Sequence, residues 1–366
     1  MLDVECLIAK RSDEMESKSD PASPVLITKN GPVQAIVLNR PAALNSLSYE
    51  MIALIRKAVE RVAEDETVGM LLFYGAGERG FCAGGDIKVM ARDVREGRVN
   101  KALHFLSEEY ALDLSLHRFP KPLVVLADGI TMGGGLGLAA GADLVVATER
   151  TRMAMPETRI GFFPDVGATG WLFEKCPPGY PEYLGLTGYE VEGQESVRLG
   201  LATRLVHSGD LPGLIERLKN LPAGLPGDKP EALGQITAVI EPFIIKDIPP
   251  KPEMDDWVRT NLAGKGSIPD LLEDLRQCSL CSDLCQGIFQ RLSERSPTAL
   301  VVTLKLLRHN QGRPIEEVFE MDLKASRLLL NHPDYLEGVR ARLIDKDDRP
   351  RWQADRLEDV GEIPLF

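Results

Sequence analysis

Phe81-Cys82-Ala83-Gly84-Gly85-Asp86-Ile87 and Met132-Gly133-Gly134-Gly135-Leu136-Gly137 are the two stretches on which the reading of this chain turns. Each follows an apolar, strand-like run, Val68 to Tyr74 for the first and Leu123 to Leu126 for the second, and each gives way to a helical pattern. Glycine at such a junction lets a ligand approach the backbone, so that a bare N–H can be aimed at it. Two N–H groups converging on one carbonyl oxygen make an oxyanion hole. Downstream stand two carboxylates in apolar, proline-containing loops: Glu157 in Met155-Pro156-Glu157 and Asp165 in Phe163-Pro164-Asp165. A carboxylate beside an oxyanion hole can act as nucleophile or base. The combination predicts an enzyme that acts on an activated carbonyl.

Outward from these turns the pattern is one of strands and helices in alternation. Val25 to Arg40 predicts a β-hairpin with Asn30-Gly31 as its turn. Ser48 is a plausible N-cap for a helix carrying Ile52, Ile55, Val59 and Val62 on one face. A second helix is expected from Val99 to His117, with Leu103, Leu106, Tyr110 and Leu114 at helical spacing, and a further strand from Leu144 to Ala147. Recurring strand, turn and helix units predict an α/β fold with largely parallel pairing. After Gly200 the pattern changes to helical stretches separated by proline-rich segments. The expected organisation is a flexible tail over 1–24, a catalytic core over 25–210 and a mainly helical region over 211–366 that packs on the core.

Composition narrows the function further. The chain has 366 residues, 44% apolar and 27% charged, with a net charge of −12. An acidic chain without a basic stripe predicts neither nucleic acid nor an anionic membrane as partner. No apolar run reaches the length of a membrane span. Residues 1–24 mix acids with Lys and Ser and lack the apolar stretch of a signal peptide, so a cytoplasmic location is the expectation. Cys278, Cys281 and Cys285 fall at i, i+3, i+7 among Leu271, Leu272, Leu275, Leu280, Leu284 and Ile288. That reads as one apolar helix face, without a fourth ligand, and no metal is expected. Gly135-x-Gly137-x-x-Ala140 imitates a dinucleotide fingerprint, but the strand expected at Leu144 leaves little room for a crossover helix. No Gly-x-Ser-x-Gly elbow occurs.

The motifs in order resemble the crotonase (enoyl-CoA hydratase/isomerase) superfamily, and within it the 3-hydroxyisobutyryl-CoA hydrolase group. The resemblance rests on both glycine turns, Glu108-Glu109-Tyr110, Met155-Pro156-Glu157-Thr158, Gly161 to Gly167, Ser296-Pro297-Thr298, Glu337 to Ala341 and Leu343 to Asp347. It implies a spiral of repeated ββα units with a helical C-terminal region, acting on an acyl-CoA thioester with no separate cofactor. It implies that the N–H groups of Gly85 and Gly134 form the oxyanion hole and that Glu157 is the catalytic carboxylate. It further implies that Asp165 holds a substrate hydroxyl or assists water, that Glu109 lines the acyl pocket, and that the Ala83 region meets CoA by main chain. The hydratases of the family carry a second glutamate where this chain has Gly137, while Asp165 matches the acid of the hydrolases. Hydrolysis of a short branched or 3-hydroxylated acyl-CoA is therefore favoured. A hydratase/isomerase and a non-catalytic acyl-CoA-binding subunit remain the alternatives. Direct attack by Glu157 and activation of water by it both stay open, as do a monomer and a trimer-based oligomer. Thr169 and Trp171, after Asp165-Val166-Gly167, are expected to reshape the acyl pocket.

Overall fold

The computed structural model describes residues 20–222, 224–225, 227–277 and 282–365. A hairpin opens it: β1 (Val25–Asn30) pairs antiparallel with β2 (Val33–Leu38), Asn30 opposite Val33. The turn is therefore Gly31-Pro32, one residue later than the sequence suggested, and Gly31 takes the positive φ of 54° that the tight reversal needs. Ser48 caps the helix Tyr49–Glu64 as expected, its Oγ accepting the Met51 N–H at 3.2 Å. That helix returns the chain to β3 (Met70–Gly75), parallel to β2.

From β3 onward a long strand, a short strand and a helix recur. β3 is followed by β4 (Gly80–Cys82) and the helices Ile87–Arg95 and Val99–His117. β5 (Leu123–Ala127) is followed by β6 (Ile130–Met132) and the helix Gly134–Ala140. β7 (Leu144–Thr148) is followed by β8 (Arg152–Ala154) and a 3₁₀ turn, Glu157–Ile160. The long strands, with β10 (Arg204–Val206), form one sheet in the order β1-β2-β3-β5-β7-β10. The short ones, with β9 (Val191–Glu192), form a second in the order β4-β6-β8-β9. The glycine turns thus leave the short strands rather than the long ones. Three-residue strands carry too little periodicity to be read from sequence. The seven-residue helix Gly134–Ala140 also suffices to connect β5 to its parallel neighbour β7, so the expected lack of room for a crossover does not hold.

The long parallel strands are buried on both faces, as such sheets require. Alternate residues serve two cores. Ile36, Leu38, Leu71, Phe73 and Val125 face the main core, whereas Ala35, Met70, Leu72, Val124 and Leu126 meet Leu214, Leu218, Ile236 and Ile240. These last four lie on the helices Leu211–Lys219 and Lys229–Ile240, which cover the outer face of the sheet. Every regular element described after β10 is helical. Among them, Ile315–Leu330 lies against Val99–His117, with the Phe319 ring 5.9 Å from that of Tyr110 and 6.1 Å from that of His117. Cys278 and Cys281 lie outside the described residues; Cys285 is buried and disulfide-bonded rather than a plain core thiol.

Candidate active site

Parallel pairing of β4 with β6 brings the two glycine turns side by side. The contact is close: a Cβ added at Gly84, whose φ is +91°, would stand 2.9 Å from the Met132 carbonyl oxygen and 3.2 Å from the Gly134 nitrogen. On the first turn the Leu47 N–H donates to the Gly84 carbonyl (2.8 Å) and the Asp86 N–H donates to the Leu47 carbonyl (2.9 Å). These two bonds flank Gly85 and leave its N–H outside the pairing. On the second turn Gly134 is the first residue of its helix, and an N–H of the first turn has no acceptor within the helix. Two backbone donors therefore stand at adjoining turns, the arrangement an oxyanion hole needs.

A cavity of about 640 Å³ opens onto them. Ala83, Gly85, Glu109, Gly134, Glu157 and Asp165, which the sequence singled out, all line it. Glu157 starts the 3₁₀ turn after β8, and its Oε1 lies 2.9 Å from the position a Cβ at Gly133 would take. Its Oε2 is buried and makes no hydrogen bond among the described residues. Glu109, on the helix Val99–His117, presses its Oε1 against the α-carbon of Gly134, where a methyl group would overlap it. Burial first, and then the charge of Asp165, holds the carboxyls of both Glu109 and Glu157 well above the usual glutamate range.

Asp165 is fixed by a network that sequence reasoning missed. The Tyr110 O–H donates to Asp165 Oδ2 at 2.8 Å, and Ser326 Oγ lies 2.9 Å from the same phenol oxygen. Since Tyr110 has one proton to give, Ser326 is the donor in that second bond. The next residue, Val166, holds φ at +51°, an outlier for a β-branched side chain. Three bonds keep it there: the Gly167 N–H donates to Asp322 Oδ2 (2.7 Å), the Trp171 indole N–H to the Val166 carbonyl (2.9 Å), and the Ala168 N–H to the Asp165 carbonyl (2.9 Å). Trp171 and Thr169 do not line the cavity. Thr169 instead accepts a bond from Asn310 at 2.8 Å, so both residues brace the Asp165 loop from behind. The one available signal for Asp322 was an acid among Val318, Phe319, Met321 and Ala325 on the buried face of a helix.

Burial raises the Asp165 carboxyl to about 6, against the opposing pull of the Tyr110 hydrogen bond. The sign follows from proton counting. Between about 4 and about 6 the folded chain holds a proton at Asp165 that the unfolded chain has released, so this group's contribution to stability is complete below that window and lost as pH rises through it. Asp165→Asn, which keeps an acceptor for Tyr110 but cannot ionise, is expected to gain melting temperature relative to the parent as pH goes from 4 to about 7. Thermal denaturation of both proteins across that range checks it; a difference that stays flat or shrinks with pH would contradict the assignment.

Gly137 is packed tightly as well. A Cβ there would stand 2.7 Å from Val166 Cβ and 2.9 Å from Asp113 Oδ2. Asp113 is fully buried, accepts no hydrogen bond at either oxygen among the described residues, and has its carboxyl raised by burial and then by Glu109. A carboxylate side chain can therefore not be seated at 137 on this backbone.

Over residues 33–363 the chain matches the enoyl-CoA hydratase/isomerase family, and it belongs to that family. Two solved structures have the same fold over nearly their whole length. They are an enoyl-CoA hydratase from Rhodobacter sphaeroides 2.4.1 (31% identical, TM-score 0.81, 93% of this chain and 95% of that one) and a carnitinyl-CoA dehydratase from Mycobacterium thermoresistibile (29%, 0.82, 94% and 95%). In sequence the chain is similar to proteins named 3-hydroxyisobutyryl-CoA hydrolase, mitochondrial. The zebrafish protein (Danio rerio) is 35% identical over 353 residues, 95% of this chain and 89% of its own. The human protein is 34% identical over 363 residues, 96% and 89% respectively.

Proposed function

We propose that this protein hydrolyses a short branched or 3-hydroxylated acyl-CoA thioester, 3-hydroxyisobutyryl-CoA above all. The packing of Gly137 supports this reading: the hydratases of the family carry their second glutamate at that position, and the space around Gly137 has no place for one there. The thioester oxygen would accept from the Gly85 and Gly134 N–H groups, each such donor being worth roughly 10²–10³ in rate. Glu157 would attack the thioester carbon, expelling the CoA thiolate and leaving a mixed anhydride that water cleaves. In the alternative route it would take a proton from the attacking water. Asp165, fixed through Tyr110, would accept the hydrogen bond of a 3-hydroxyl. Glu109 would line the acyl pocket, and the Ala83 backbone would meet the CoA arm.

The relatives named as hydrolases support the choice of reaction, and the structural neighbours named hydratase and dehydratase supply the competing one. Incubation with 3-hydroxyisobutyryl-CoA and with crotonyl-CoA separates them. Thiol release from the first is expected. Loss of enoyl absorbance from the second without thiol release would assign a hydratase, and CoA binding without turnover of either would assign a binding subunit. Among the described residues no helix is long and apolar enough to cross a membrane. Cytoplasmic residence is the companion proposal, which cell fractionation decides against the mitochondrial location in the relatives' names. Light scattering distinguishes a monomer from a trimer-based assembly.

A further inference from the structure

Tyr335 stands in the wall of the cavity, and the reaction outlined above makes no use of it. It is 1% exposed, and its Oη is buried without a hydrogen bond among the described residues. Much of the wall it shares, Ile87, Met90, Leu106, Phe162 and Leu330, is apolar. A hydroxyl kept from water without a partner costs about 1–3 kcal/mol. Burial first, and then the charge of Asp165, holds the phenol above the ordinary tyrosine range. Tyr335 is thus a donor at every working pH, and it lines the same cavity as Asp165.

The fold holds this phenol firmly. Its helix, Pro333–Val339, lies directly on the turn that begins with Glu157. Two glycines permit the approach. A Cβ at Gly161, whose φ is +73°, would stand 2.9 Å from the Tyr335 nitrogen, and one at Gly338 would overlap the backbone of Ile160. Asp334, the residue before Tyr335, is tied at both oxygens: Oδ2 accepts from Ser296 Oγ (2.6 Å) and Oδ1 from the Gln353 N–H (2.7 Å). The Tyr335 ring itself rests 5.7 Å from that of Phe162. A buried donor this well fixed, with no acceptor in the chain around it, fits an acceptor brought by the ligand.

An alcohol asks for an acceptor for its proton and a donor for its lone pairs. Asp165, fixed through Tyr110, can supply the first. We propose that Tyr335 supplies the second: its O–H donates to the 3-hydroxyl oxygen of the substrate, and with Asp165 it selects hydroxylated acyl groups over those without the hydroxyl. The inference deepens the proposed function and rests on it for the class of substrate. An acyl group of the same branching but without the hydroxyl leaves both groups unpaired in an apolar wall, and such a loss is what makes a site reject an analogue. The thioester oxygen is another acceptor in the ligand, but both kinds of thioester carry it, so a bond from Tyr335 to it would favour neither.

Kinetics on 3-hydroxyisobutyryl-CoA and on isobutyryl-CoA, with the parent protein and with Tyr335→Phe, test it. The parent should favour the hydroxylated thioester in kcat/KM. Tyr335→Phe should lower kcat/KM for that thioester about tenfold and spare isobutyryl-CoA. The ratio between the two substrates is blind to general damage to the fold. Equal losses on both, an unchanged ratio, or a parent indifferent to the hydroxyl would overturn the assignment. Calorimetric binding of the same two ligands to Glu157→Gln and to Glu157→Gln/Tyr335→Phe separates the contact from the reaction. If no thioester is turned over by the parent, yet the double variant loses a preference for the hydroxylated ligand that Glu157→Gln shows, the contact stands and the hydrolase reading falls. If the parent hydrolyses the hydroxylated thioester and Tyr335→Phe keeps its full preference, the hydrolase reading stands and the contact falls.

Discussion

Glu157→Gln is expected to lower kcat by about 10³ or more while leaving the protein folded. The amide has nearly the shape of the carboxylate but neither attacks a thioester nor takes a proton from water. Stability should not suffer. Glu157 Oε2 has no hydrogen-bond partner to lose among the described residues, and burial together with Asp165 already disfavours the charge that the substitution removes. Loss of turnover with an undiminished melting temperature is therefore the signature. A single turnover in ¹⁸O-water under enzyme excess goes further. Label in the Glu157 side chain marks attack by the carboxylate, since water then opens an anhydride at that residue. Label confined to the released acid fits general-base catalysis and equally water attack on the acyl carbon of the anhydride, so label in Glu157 is the outcome that decides. Full activity in Glu157→Gln would remove the mechanism altogether.

Gly137→Glu is expected to destroy the site rather than convert it to a hydratase. The new side chain must begin 2.7 Å from Val166 Cβ and 2.9 Å from Asp113 Oδ2. Val166 cannot yield easily, because its backbone is held at φ +51° by the bonds around it. Asp113 would meet a second buried acid. Overpacking and an uncompensated charge together cost about 3 kcal/mol or more. Hydrolysis should fall with the melting temperature, and crotonyl-CoA should remain unhydrated. A folded Gly137→Glu protein that hydrates crotonyl-CoA would show that the backbone can make room, and would withdraw the steric argument for a hydrolase.

What could be read from sequence was what depends on neighbours in the chain. Ser48 caps a helix with its own Met51, and Val99–His117 announces itself by spacing. The glycine turns and the Met-Pro-Glu and Phe-Pro-Asp loops stand out because chemistry-bearing residues sit in apolar surroundings. The unread part depends on partners far along the chain. β4, β6 and β8, three residues each, carry no pattern, yet their pairing sets the two glycine turns against each other. Asp322 meets Gly167 across 155 residues, and Ser326 meets Tyr110 across 216. Nothing in the local sequence at Thr169 or Trp171 told a pocket wall from a brace.

That long reach bears on when the protein becomes competent. During synthesis the glycine turns, Glu157 and Asp165 all leave the ribosome well before the helix Ile315–Leu330. A nascent chain can thus assemble its sheets and its paired N–H donors early, as domains tend to do. Asp322 and Ser326 arrive late, and until they do Val166 has lost one of the bonds that hold its unfavourable backbone, while the Tyr110–Asp165 pair lacks its third member. Translation order therefore delays the finishing of this loop until the helix Ile315–Leu330 has been made.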